Sequence, residues 1–285
     1  MKLIEPSFEI LQPFDCVDPI ESAKKSIERA GRTSYKSEDK ITERSWIRFF
    51  DMLKEKKHLS VFEFGELFFR IPIGSPAYDD EYLYKISVIQ FFNNNRYSKC
   101  NKVIESTKDL LEQQIAYIST NFRVVEENND FLNWDWLSQY VCCPTDKHSQ
   151  KISVKFICSR SISHELVRHR AFSMIQESQR YVNYSKDKFE NQITYINPEF
   201  SKGCYKFEEL LKQAEKAYFY LLGLGWLPQE AREVLPNATK TEIILSGFKE
   251  DWEHFFKLRT AVNAHPEMRR LIVPLQEEFK KLGYV

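Results

Sequence analysis

The chain has 285 residues, with 41 basic and 41 acidic side chains, so it carries no formal net charge, and 42% of it is apolar. That composition folds rather than staying disordered, and it lacks the cationic surplus that general nucleic-acid binding needs. Only 8 glycines stand against 22 Phe, 14 Tyr and 5 Trp. No GxxxxGK[ST] loop occurs, and Gly223 and Gly225 are followed by Pro228, where a dinucleotide fingerprint places its third glycine. A nucleotide bound here must have its phosphates held by something other than a glycine loop.

No apolar run reaches the roughly 18 residues of a membrane span. The start mixes Glu5, Pro6 and Glu9 with its apolar residues, unlike a signal peptide. Six cysteines at 16, 100, 142, 143, 158 and 204 show no CxxC spacing. They read as free thiols in a reducing cytoplasm, with no zinc site and no membrane partner.

Taken in chain order, Asp18-Pro19 reads as the N-cap and first-turn proline of a helix over 18–29. Trp46, Phe49, Phe50 and Leu53 predict a helix over 42–56. Leu67, Phe69 and Ile71 alternate as a strand over 66–71; Ile152, Val154, Phe156 and Cys158 alternate as its partner strand. The residues between, 72–150, read as a largely helical insertion, with helices at 80–92 and 104–119 and an aromatic segment holding Phe131, Trp134 and Trp136. Loops fall at 93–95 and 143–146. Beyond it the pattern predicts helices over 160–169, 206–225, 228–234, 250–263 and 267–281, with a strand near 239–247. The fold class is α+β, a mixed or antiparallel sheet with helices packed on it. The whole reads as one domain, 1–285, carrying the 72–150 insertion.

The chemistry concentrates in Arg168-His169-Arg170, Ser173, Gln176-Glu177-Ser178-Gln179-Arg180-Tyr181, preceded by Arg160 and His164. Arginines and a histidine at a helix end and in the following loop build an anion site, because guanidinium forks bind phosphate bidentately and stay charged. Glu177, Ser178 and Gln179 supply hydrogen-bonding groups for the polar edge of a base. The plain alternative is cations complementing a helix dipole.

Arg-His-Arg, seven residues, then Ser178, continuing through Arg180-Tyr181, resembles the signature of flavin-dependent thymidylate synthases. Four further segments resemble that family in the same order: Ala30 to Tyr35 ("ARxSY"), His58 to Glu63 ("HxSxxE"), Ala231 to Pro236 ("AR-x-VLP") and Phe255 to Arg259 ("F-x-x-LR"). The resemblance implies reductive methylation of dUMP to dTMP. Methylenetetrahydrofolate would be the carbon donor, NADPH the reductant, FAD a tightly bound cofactor, and the assembly a homotetramer with sites between subunits. No cysteine nucleophile is implied, and Cys143-Pro144-Thr145-Asp146 does not resemble the loop of the cysteine-dependent enzyme.

Residue by residue, the resemblance implies that Arg168, His169, Arg170, Ser60 and Glu63 hold FAD, with His254, Leu258 and Asn263 as further cofactor contacts. Ser178, Arg180 and His58 take the catalytic positions, Ser178 orienting the base rather than attacking it, because no histidine stands in its loop to act as base. Glu165, Gln176, Glu177, Ser178, Gln179, Arg180, Arg232 and Arg259 are the implied substrate contacts. Simpler readings stand beside these: an N-cap for Ser60, a solvated face for Glu63, a capping or core role for His58, and a surface ion pair for Arg232. Departures from the family pattern are the Gln at 176 with its acid at Glu177, and Glu165 where some members have Gln. Lys249 stands near a missing arginine, and Asn263 where others have His, with His265 as a substitute. A carboxylate at 165 either accepts from uracil N3–H or pairs with a nearby arginine. The competing functions are a catalytically idle FAD- or nucleotide-binding relative and an RNA-binding module that stacks bases on its Arg/aromatic loop.

Overall fold

Asp18 opens the first long helix as its sequence context predicts: its Oδ1 accepts from the Ile20 N–H at 2.8 Å and the Glu21 N–H at 3.1 Å, two of the donors a helix start leaves open. In the computed structural model, which describes residues 1–14, 17–74, 80–106 and 112–285, the order is β1 (Lys2–Ile4), β2 (Ser7–Leu11), α1 (Pro19–Tyr35) and α2 (Ser45–Glu55). A 3-10 turn (Leu59–Phe64), β3 (Glu66–Pro72), α3 (Asp80–Asn94), β4 (Lys99–Ser106), β5 (Glu112–Asn121), α4 (Phe122–Glu127), α5 (Asn129–Leu132) and α6 (Trp134–Leu137) follow. The rest is β6 (Lys151–Ser159), α7 (Arg160–Leu166), β7 (Ser173–Gln176), β8 (Thr194–Ile196), α8 (Tyr205–Gly223), α9 (Pro228–Ala231), β9 (Lys240–Phe248), α10 (Lys249–Arg259) and α11 (Pro266–Lys281). The fold is α+β. Among the described residues no helix is long and apolar enough to cross a membrane.

The chain divides into two compact units, the first of residues 1–11, 32–39 and 152–285 and the second of 12–31 and 40–151. In the first, a four-stranded sheet runs β2-β6-β9-β7, with β2 antiparallel to β6 and β7 antiparallel to β9. β1 and β8 form a separate parallel pair. β6 alternates as a half-buried strand should, burying Ile152, Val154, Phe156 and Cys158, whereas β9 is buried along nearly its whole length. Trp252, Phe255 and Phe256 of α10 and Phe279 of α11 complete this core, each fully buried aromatic contributing about 1.5–3 kcal/mol. The Trp252 indole N–H donates to Ile152 O at 3.0 Å, so its one polar atom is satisfied. A smaller core under α8 gathers Tyr184, Tyr195, Leu211, Tyr218 and Ala231.

The second unit is built on the antiparallel sheet β3-β5-β4. Phe50 of α2 packs between Phe62 and Phe122, with centroids 4.8 and 5.5 Å away. α1 buries Ala23, Ile27 and Ala30 at helical spacing, and Gly31 continues that face because a Cβ there would meet the Phe49 ring at 2.6 Å.

Several of these expectations change. The 104–119 segment is not a helix: its described residues belong to β4 and β5, while 107–111 lie outside the described residues, as does Cys16. Its Lys, Glu, Gln and Leu favour helix locally, but pairing with β3 along seven register positions overrides that preference. β6 is not the partner of β3; the two lie in different sheets. α1 runs six residues past 29, and the helix predicted over 250–263 ends at Arg259, leaving Asn263 in the loop before α11. The 72–150 segment groups with residues 12–31 and 40–71 and shares their sheet through β5.

Candidate active site

Ser159 caps α7 by accepting from the Ile162 N–H at 3.4 Å. The helix stops at Leu166, short of the predicted 169, so Arg168, His169 and Arg170 stand in the turn that follows. Phe172 then anchors the loop: a Cβ on Gly247 of β9 would lie 2.6 Å from its ring, so this close packing requires glycine. The next four residues form β7, leading directly to Glu177 and Ser178.

Glu177 is almost fully buried; its N–H donates to Glu242 O at 2.8 Å and its Oε2 receives Lys240 Nζ at 3.0 Å. Ser178 N–H donates to Ser34 O at 3.0 Å, which joins the signature loop to the end of α1. Tyr35 and Tyr181 add a ring contact at 5.3 Å. The "ARxSY" element and the signature serine, 144 positions apart by number, thus meet through backbone. Ser178 Oγ accepts only the Arg180 N–H, at 3.3 Å, so no side-chain base touches it among the described residues.

A charge network that the motifs did not reveal supports this loop. Glu242 receives Lys36 at 2.7 Å, Lys155 at 2.6 Å and Lys240 at closer range, while Glu38 sits 3.2 Å from Lys36. Burial alone would raise the Glu242 carboxyl, but Lys240 and Lys36 outweigh it and hold it well below the usual carboxylate range. The available signal was Lys240 and Glu242 at strand spacing in a strand with no other charge, since buried charges persist only when paired.

The other expected residues separate clearly. Arg259 is fully engaged: Nη1 meets Glu165 Oε2 at 2.6 Å, Nη2 donates to Glu165 O at 2.9 Å, and Nε donates to His169 Nε2 at 2.7 Å. Glu165 therefore takes the second of its two readings, pairing with an arginine. Burial, with Arg259 and His254 beside it, pulls His169 down to about 4; it is a neutral acceptor carrying its proton on Nδ1, edge-on to Phe255 at 4.7 Å. The Gln176 amide is spent on Ser163 and Thr241, at 2.8 and 3.0 Å, and the Gln179 amide nitrogen is buried without a partner. Arg168, Arg170 and Arg180 are exposed and meet no carboxylate among the described residues, and the nearest to Arg232 is Glu233 at 3.6 Å. His254 and Leu258 share an exposed face of α10 one turn apart. His265 caps α11, accepting the Glu267 N–H at 3.2 Å.

His58, Ser60 and Glu63 belong to the second unit. Ser60 lies exposed inside the 3-10 turn rather than at its cap, a position His58 takes without closing it. Glu63 is not solvated: it is buried and paired with Arg123. The described cysteines are free, and burial raises Cys142 to about 11 and Cys158 to about 12, so neither is a thiolate nucleophile at neutral pH. A cavity of about 290 Å³ among Cys158, Ile162, Phe207 and Leu271 touches none of the signature loop.

Residues 147–282 match the family model described as thymidylate synthase complementing protein. This stretch of the chain is similar to that family. It contains α7, the signature loop, the Arg232 turn and α10; the Ala30–Tyr35 and His58–Glu63 elements lie outside it. Curated relatives named flavin-dependent thymidylate synthase match as well. The Geobacter sulfurreducens protein is 38% identical over 117 residues, covering 41% of this chain and 50% of the relative. The Pyrococcus furiosus protein is 34% identical over 128 residues, covering 44% and 52%. The chain thus spans about half the length of the curated relatives it matches. A crystal structure of a UMP/dUMP methylase, PolB from Streptomyces cacaoi bound with 5-Br dUMP, superposes over 100% of this chain and 93% of its own. Its identity is 14% and its TM-score 0.44, too loose a match to carry an argument.

Proposed function

We propose that the chain is a flavin-dependent thymidylate synthase, converting dUMP to dTMP with methylenetetrahydrofolate as carbon donor and NADPH as reductant. The observation that carries this reading is the state of the signature loop. Among the described residues, Arg168, Arg170 and Arg180 present guanidinium groups without carboxylate partners, and Arg232 has only an exposed neighbour, while Lys36, Lys155, Lys240 and Arg259 of the same unit are paired inside the protein. Such forks suit phosphate oxygens. The family match and the names of the relatives support the same reading.

The fit to FAD rests on that donor set: two free guanidinium groups on either side of a neutral histidine suit a dianionic pyrophosphate beside an uncharged ring system. Arg168 and Arg170 would hold the pyrophosphate, with His169 and the exposed α10 face of His254 and Leu258 alongside; Ser60, Glu63, His58 and Asn263 are assigned by resemblance alone. When bound, flavin supplies the hydride-transfer chemistry. The chain's own part is positioning. Arg180 and Arg232 hold the nucleotide phosphate, and the Ser178 hydroxyl, fixed by Ser34 O at its amide, orients the base by hydrogen bonding. Gln176 and Glu177 act indirectly, through their bonds to α7 and β9, and Arg259 fixes Glu165 and the tautomer of His169.

The test is the visible spectrum of purified protein with added FAD, together with tritium release from C5-labelled dUMP. A yellow protein that releases tritium with folate and NADPH supports the reading, and colourless, inert protein overturns it. One observation favours a second reading, an idle FAD- or nucleotide-binding relative: Arg259 is occupied by Glu165 and His169. NADPH oxidation accelerated by dUMP would dismiss it. A homotetramer in a cytoplasmic setting remains part of the proposal, checked by light scattering.

A further inference from the structure

Arg160 opens α7, eight positions before the signature, and has no role in the family resemblance. Its backbone N–H donates to Thr239 O at 3.0 Å, and the Ser161 N–H to Asn237 O at 3.2 Å. The same stretch leads back to Arg232: Thr239 N–H donates to Pro236 O and Leu235 N–H to Arg232 O, both at 2.9 Å. These successive bonds tie the backbones of Arg160 and Arg232 to the stretch that leads into β9, and the two cations repel.

The Arg160 side chain is partly buried and makes no hydrogen bond or ion pair among the described residues. Burial pushes its guanidinium below the ordinary value and Arg232 adds to that, with Tyr184 and Glu177 opposing. Glu177 compensates it only in part, because its Oε2 is also held by Lys240 at 3.0 Å. Around this corner Glu177 Oε1 is buried with no hydrogen-bond partner, and Glu177 is 2% exposed. The same unit surrounds Glu242 with three lysines, so it neutralises buried charge elsewhere. A half-desolvated guanidinium without an ion pair of its own costs free energy in the folded state. An arriving anion would recover that cost.

We propose that Arg160 joins Arg232 in binding the phosphomonoester of the nucleotide, and that Arg160 is the residue through which the chain tells a nucleotide from a nucleoside. The inference rests on the thymidylate synthase reading for the identity of the nucleotide. Two guanidinium forks match the two charges of the phosphate dianion, and their mutual repulsion is relieved only in the complex.

Titration calorimetry tests this on wild-type, Arg160→Met and Arg160→Lys proteins, with dUMP, deoxyuridine and inorganic phosphate as probes, and thermal unfolding of each ligand-free protein as the companion measurement. Arg160→Met should weaken dUMP about 30-fold and leave deoxyuridine unchanged. Arg160→Lys should recover part of the loss, and ligand-free Arg160→Met should melt no lower than wild type, since it sheds an uncompensated charge. Equal dUMP affinity in Arg160→Met and wild type overturns the proposal. So does an equal loss for deoxyuridine, or a lowered melting temperature that Arg160→Lys does not restore. Wild-type protein that binds phosphate through Arg160 but not dUMP keeps the anion site and overturns the thymidylate reading. Binding of neither overturns both.

Discussion

In the second unit the ionic groups close on one another: Glu63 on Arg123, Glu105 on Arg70 and Lys147, Lys54 on Glu126. The first unit does the same around Glu242 but leaves Arg160, Arg168, Arg170 and Arg180 without an ion pair among the described residues. Both regions come from a chain with equal numbers of acids and bases, so the contrast is one of arrangement. Paired charges hold the protein together; the unpaired arginines around a loop fixed by backbone bonds are the groups that the proposed function assigns to anions.

The largest effect that could break this contrast is on catalysis. Arg180→Ala should lower tritium release from C5-labelled dUMP by about 10³-fold while leaving the urea-unfolding midpoint unchanged; near-full release would remove Arg180 from the site. In the paired region the outcome should reverse. Lys240→Met should cost about 3 kcal/mol of stability, measured by urea denaturation, because Glu177 loses the cation that matches it. A loss under about 0.5 kcal/mol would show the network to be dispensable. Arg123→Ala leaves buried Glu63 unpaired and should cost about 2 kcal/mol, with no change in dUMP affinity.

The smallest effect concerns pH. The His169 imidazole titrates near 4 when folded and near its ordinary value of about 6.5 when unfolded. Between those values the unfolded chain binds more protons, so stability is fully present above about 6.5 and falls as pH drops toward 4. His169→Asn should flatten that part of the stability-pH curve; an unchanged slope would contradict a neutral, Arg259-bound imidazole.

Much of the fold was legible because it is local. Asp18-Pro19 announced α1, the aromatic spacing announced α2, and the alternation at 66–71 and 152–158 announced β3 and β6. Partner choice was not legible, because alternation shows which face is buried and not which strand lies alongside. The helix expected over 104–119 failed for a related reason: residues with helical preference were recruited into β4 and β5 by a sheet whose other strand lies forty positions earlier. β7, four residues long, sat hidden inside the signature itself.

The sequence by itself determined the α+β class and the loop of arginines, histidine and serine, because residue type and short spacing are enough to specify a helix end and a cluster of phosphate-seeking groups. Only the tertiary structure decided which of those arginines are free. Arg259 is spoken for by Glu165, ninety-four positions away, Glu177 by Lys240, and Arg160 by no ion pair among the described residues. Charge neutralisation is a property of space, and a chain that balances its acids and bases in composition does not say where each pair will form.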